Sequence, residues 1–163
     1  QQLEQLLFCS INVSAAAISD NHFLKTLMRL IEHTQIPTEK LCFEISEPTA
    51  ITYLTGAIEF MTTLKQIGCQ LILDDFGTGL SSFAYLKQLP VDFLKIDSAL
   101  VNTLATDAID EALVKAINDI AQLMGLKTIA EGVENQIIFD KLKIIGVDYV
   151  QGYWLSEPQA LAP

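Results

Sequence analysis

Residues 71–82 read LILDDFGTGLSS: an apolar run, Leu71, Ile72 and Leu73, leads directly into Asp74 and Asp75 and then into a turn marked by Gly77 and Gly79. Neighbouring carboxylates repel, and two of them at the mouth of a core strand cost stability unless a cation sits between them. A metal ion meets that need. Other strand-like runs also end on residues that ligate hard cations or move protons: Asn12, Glu44, Lys95 with Asp97, Glu131 and Gln151.

Carboxylates and an amide oxygen, with no His or Cys among them, suit Mg²⁺, Mn²⁺ or Ca²⁺ over Zn²⁺. Asp74 is placed to bridge two ions and Asp75 to reach one; two ions about 3.5–4 Å apart would clamp a phosphodiester and activate a water. Lys95 and Asp97 lie two residues apart and leave the same strand face, where a lysine can orient the attacking water or offset the developing phosphorane charge. The same spacing also fits a structural Lys–Asp pair closing one end of a barrel.

Residues this far apart in sequence meet only if the fold gathers them. The expected strands are Leu7–Val13, Leu41–Ile45, Gln70–Asp74, Asp92–Ile96, Lys127–Ala130 and Asp148–Gln151. Amphipathic stretches lie between them, notably Asn21–His33, Ala50–Ile67 and Asp107–Met124, and Gly68, Gly125 and Gly146 stand where C-terminal caps belong. Strand and helix alternating in this way imply α/β architecture with a parallel sheet, whose C-terminal strand ends share one face. No low-complexity segment, linker or sequence repeat interrupts the pattern.

Composition narrows the partners. The chain has 163 residues, half of them hydrophobic, with 20 acidic against 10 basic side chains and a net charge of −10. One domain of this size buries roughly two thirds of its unfolded surface. The acidic surface repels polyanions, which argues against nucleic-acid polymers and anionic membranes while leaving room for a small anion held through metal ions. Cys9, Cys42 and Cys69 are odd in number, lack metal-ligand spacing and are expected to be buried, reduced thiols. No apolar run approaches a membrane span, so the expected location is cytoplasmic, with any membrane anchor carried by a larger parent protein. His22 and His33 read as surface or capping residues, and Tyr153 and Trp154 as packing at a barrel end.

INVSA at 11–15, FEISE at 43–47, DDFGTGLSS at 74–82, LKID at 94–97, AEGVE at 130–134 and VQGYW at 150–154 together resemble the EAL domain, the bacterial cyclic di-GMP phosphodiesterase family. The resemblance covers essentially the whole of residues 1–163. It implies a TIM-like (β/α)8 barrel, represented here by about six β/α units. The Glu-Ala-Leu motif, its following arginine and the first two strands would precede Ile11 and are not among these residues.

By position, the resemblance makes Asn12, Glu44 and Asp74 ligands of a first metal ion, and Asp74, Asp75 and Glu131 ligands of a second. Lys95 matches the lysine that holds the catalytic water, with Asp97 nearby. Glu47 matches the glutamate that steadies the loop after Asp75. Glu134 and Gln151 match residues on the substrate side. The implied reaction is hydrolysis of cyclic di-GMP to linear pGpG with Mg²⁺ or Mn²⁺, inhibited by Ca²⁺. The implied partners are a second copy, in contact near residues 83–104, and linked sensor or GGDEF domains. Leu80, Pro48 and Glu157 depart from the common pattern without removing a metal ligand. A receptor that binds cyclic di-GMP without hydrolysis, and an unrelated Mg²⁺-dependent barrel hydrolase or lyase, are the alternatives.

Overall fold

In the computed structural model, residues 6–34, 36–77 and 83–160 are described. They carry six strands: β1 (Cys9–Asn12), β2 (Leu41–Ser46), β3 (Gln70–Phe76), β4 (Phe93–Ile96), β5 (Lys127–Ala130) and β6 (Tyr149–Val150). The helices are α1 (Ala15–Ile18), α2 (Asn21–Thr34), α3 (Glu47–Thr52), α4 (Leu54–Gln66), α5 (Phe83–Leu86), α6 (Ser98–Thr103), α7 (Ala108–Leu123) and α8 (Gln136–Ile145), with a short 3-10 turn at Thr38–Lys40. The chain divides into two compact units, Gln1–Asp74 with Ser82–Asp92, and Asp75–Ser81 with Phe93–Pro163.

In the first unit β1, β2 and β3 run parallel, with Asn12 opposite Glu44 and Ser46 opposite Asp74. Five consecutive residues of β2 are buried, as expected of a parallel strand covered on both faces. Phe43, Ile45 and Leu71–Leu73 pack in this core with Phe60, Met61 and Leu64 of α4. β1 is different: all four of its residues are exposed. Cys9 is therefore exposed, against the expectation that all three thiols are buried. Burial pushes the other two thiols up, Cys42 to about 12 and Cys69 to about 11, which keeps both protonated and unreactive.

In the second unit β4, β5 and β6 are likewise parallel. Polar side chains start the helices here: Asp97 caps α6, Asp107 caps α7 and Asn135 caps α8, each accepting backbone N–H groups of the first turn. Gly146 ends α8 at φ 91, a left-handed cap that a side chain would resist.

Each unit repeats one anchoring device. Asp92 Oδ2 accepts the Leu71 N–H (2.9 Å) while Oδ1 pairs with Lys65 (2.5 Å); Asp148 Oδ2 accepts the Thr128 N–H (3.0 Å) while Oδ1 pairs with Lys127 (2.7 Å). Both aspartates stand in a Val-Asp-aromatic sequence, VDF and VDY. Both hold the N-terminal end of a strand, the end where barrel residues serve stability.

Three sequence expectations need correction. The stretch Ala50–Ile67 is two helices, not one, because Tyr53 leaves helical geometry (φ −117, ψ 39) after Thr52 has turned its hydroxyl back onto the Pro48 carbonyl. Pro48 sits in the first turn of α3, where no intrahelical N–H is required, so it does no damage. Strands expected at Leu7–Val13 and Asp148–Gln151 shorten to four and two residues.

Candidate active site

The sequence-predicted residues fall on the C-terminal ends of their strands in both units. In the first, Asn12 ends β1, Glu44 lies in β2 at 7 % exposure, and Asp74 lies near the end of β3. Glu47 is buried at the start of α3 and accepts a hydrogen bond from the Tyr85 hydroxyl of α5. Of the expected turn Phe76–Ser82, residues 78–82, including Leu80, lie outside the described residues.

The second unit gathers Asp75, Asp97 and Glu131, whose carboxylates each bring one oxygen within 4.8 Å of the others. All three are half-buried. Asp75 reaches this cluster by breaking the strand pattern. Consecutive strand residues point to opposite faces, yet Asp75 takes φ 57, the left-handed region, and it is the non-glycine residue that does so among those described. Such a conformation costs about 1–3 kcal/mol and is characteristic of functional sites.

Lys95, 6 % exposed, ends beside this cluster with Nζ 3.1 Å from Glu131 Oε2. Asp97 accepts the Ala99 N–H at 2.6 Å, and Glu131 Oε1 lies 3.4 Å from the Ser98 nitrogen. The start of α6 thus orients two of the three carboxylates.

Gln151 and Glu134 are exposed and line one cavity of about 310 Å³ with Glu131, Ser98, Asn102 and Tyr153. The AEGVE and QGYW segments are laced together by backbone hydrogen bonds from Gln151 to Ala130 (2.8 Å), Val133 to Gln151 (3.0 Å) and Trp154 to Val133 (3.2 Å). Gly152 permits this approach, since a Cβ there would overlap the Val133 backbone. Tyr153 is 70 % exposed beside the cavity rather than packed in a barrel end, because this lacing turns it outward; Trp154 does pack, 5.1 Å from Phe139. Ser98 and Asn102 were missed in the sequence because nothing in their type or spacing marks them.

As a donor set the cluster fits a hard divalent cation: it offers carboxylate oxygens alone, from three separate segments, in a half-buried pocket where unneutralised carboxylates would repel.

The EAL domain family model matches residues 1–158, and the chain belongs to that family. It is 42% identical over 161 residues to the cyclic di-GMP phosphodiesterase PdeB of Shewanella oneidensis, a match covering 99% of this chain and 19% of that protein, so the chain spans about a fifth of its relative's length. Among solved structures it resembles the PaMucR phosphodiesterase in complex with c-di-GMP (TM-score 0.88, 32% identity, 93% of this chain and 62% of that one). It also resembles the FimX EAL domain of Pseudomonas aeruginosa bound to c-di-GMP (TM-score 0.89, 28% identity, 97% and 66%). The fold is thus the TIM-like barrel type of the EAL domain, here an incomplete barrel of six β/α units.

Proposed function

We propose that the chain binds cyclic di-GMP and hydrolyses one of its two phosphodiester bonds, releasing linear pGpG. The observation that carries this reading is the convergence of Asp75, Asp97 and Glu131 within 4.8 Å, with Lys95 held against Glu131, in a chain of the EAL family.

In the first unit Asn12, Glu44 and Asp74 would hold one Mg²⁺ or Mn²⁺ ion, and in the second unit Asp75 and Glu131 would hold another. Bound there, such ions offset phosphate charge and lower the pKa of a water. The chain's own residues do the rest. Lys95 Nζ, fixed by Glu131, orients the attacking water and balances charge gathering on the phosphoryl oxygens. Asp97 caps α6 and so keeps the rim of the carboxylate cluster in place. Glu134 and Gln151 offer an acceptor and an amide to the nucleotide from the wall of the cavity. In the net reaction water oxygen joins phosphorus, the P–O3′ bond breaks and the 3′ oxygen takes up a proton.

The test is to incubate the chain with cyclic di-GMP and Mn²⁺ and to separate the products by chromatography. Formation of pGpG that stops on chelation supports hydrolysis. Tight binding with the dinucleotide left intact makes the domain a receptor instead.

A homodimer belongs to the same reading. The resemblance places the contact near residues 83–104; just beyond, on α7, stand three of the exposed apolar side chains, Ile109 (71 %), Leu113 and Leu123 (88 %). With Ala116 and Ile120 they repeat at helical spacing along one stripe, as a packing seam between helices requires. Linked sensor or GGDEF domains, and a cytoplasmic site of action, complete the proposal; the fivefold greater length of PdeB leaves ample room for such domains.

A further inference from the structure

We infer that Tyr85 is a positioning residue for Glu44 and Asp74, the metal ligands proposed for the first unit, acting through the buried carboxyl of Glu47. The inference rests on the function proposed above.

Tyr85 is 8 % exposed on α5, and its hydroxyl donates to Glu47 Oε1. A phenylalanine would fill the same apolar space, so packing does not account for the hydroxyl; its role lies in the hydrogen bond. Glu47, 2 % exposed, needs such a donor, because a buried carboxyl without one carries a desolvation cost. Glu47 also sits at a corner that bears directly on the ligands. It is the first residue after β2, three positions beyond Glu44 and next to Ser46, and Ser46 is the register partner of Asp74. Pinning Glu47 therefore fixes the end of β2 that aims Glu44 and that runs alongside Asp74. Pro48, with its restricted φ, stiffens the same corner from the other side. Groups that hold ligands in this way commonly govern metal affinity although they never touch the ion.

The experiment is titration calorimetry of Mn²⁺ into the full chain, wild type and Tyr85→Phe, with near-UV circular dichroism confirming that both are folded. The expected result is Mn²⁺ affinity weakened by about 10- to 100-fold in Tyr85→Phe, the range usual for such supporting groups. Turnover should approach that of wild type at saturating Mn²⁺. A purely structural role would lower the melting temperature and leave the Mn²⁺ affinity alone. Glu47→Gln reads the same bond from its other partner and is expected to weaken Mn²⁺ binding too. The double variant should be no more than about twofold worse than the weaker single, because coupled residues are non-additive. Unchanged Mn²⁺ affinity in either single variant, or full additivity in the double, overturns the inference. Absence of Mn²⁺ uptake by the wild type would overturn the proposed function along with it, whereas normal uptake by both wild type and Tyr85→Phe would overturn this inference alone.

Discussion

Lys95 Nζ stands 3.1 Å from Glu131 Oε2, with the two side chains 8% and 23% exposed. This ion pair joins the end of β4 to the residue following β5 and places a cation against one of three crowded carboxylates. A nearly buried charge pair is strongly coupled, and removing one partner leaves the other uncompensated. Lys95→Met is expected to lower kcat by about 10²–10³, with little change in KM, as for loss of a group that acts on charge developing in the transition state. Steady-state kinetics with Mn²⁺ check it; a KM rise at constant kcat would assign Lys95 to substrate binding alone.

Asp75 pays for its position twice, in a left-handed backbone and in repulsion from Asp97 and Glu131. Asparagine keeps the shape, tolerates the left-handed region and carries no charge. Asp75→Asn is therefore expected to raise the melting temperature of the metal-free protein by a few degrees, roughly the effect of 1 kcal/mol. Activity should fall at least about 10²-fold and the upward thermal shift produced by Mn²⁺ should shrink, since ligand-linked stabilisation follows affinity. Differential scanning calorimetry with and without Mn²⁺ measures both; a lower melting temperature in the metal-free variant would contradict the repulsion argument.

At the opposite end of β5, burial pushes the Asp148 carboxyl up, but hydrogen bonds from Lys127 and Thr128 outweigh it and hold the group below its ordinary 3.8. Lys127 is raised above 10.5, first by its hydrogen bond to Asp148. A lowered carboxyl contributes stability that is present above about pH 4 and lost as pH falls through the folded value; a raised lysine contributes stability below 10.5 that is lost as pH rises through its own. Between these limits the pair should give a flat profile. Asp148→Ala should cost about 1–3 kcal/mol at neutral pH, because the buried Thr128 N–H loses its acceptor. It should also flatten the acid limb of a urea-stability curve measured from pH 6 to pH 3. An unchanged acid limb would mean that other carboxylates govern it.

The α7 stripe predicts a specific weakness in self-association. Leu113→Glu puts a charge in the middle of the seam, away from the carboxylate cluster, and should shift the sedimentation coefficient from dimer to monomer at micromolar concentration. Identical sedimentation of both proteins would remove α7 from the interface.

Much of this was legible in the sequence because strand ends announce themselves. DDFG, LKID and AEGVE each set a polar residue after a buried run, and the structure puts Asp74 and Asp75 in β3, Lys95 in β4 and Glu131 directly after β5. What escaped notice depends on tertiary placement. The left-handed turn at Asp75 occurs at a residue type that does not demand it. The ion pair between Lys95 and Glu131 joins residues that stand far apart in the sequence. The exposure of Cys9 reflects what covers β1, which its own residues do not encode.

The most direct measurement follows a single sample through a change of metal. The chain is loaded with cyclic di-GMP in Ca²⁺, binding is recorded, and Mn²⁺ is then added in excess while pGpG is followed by chromatography. The expected result is bound, intact cyclic di-GMP in Ca²⁺ and appearance of pGpG once Mn²⁺ is present. Ligand that stays bound and uncleaved in Mn²⁺ would contradict metal-dependent hydrolysis and leave a cyclic di-GMP receptor in its place.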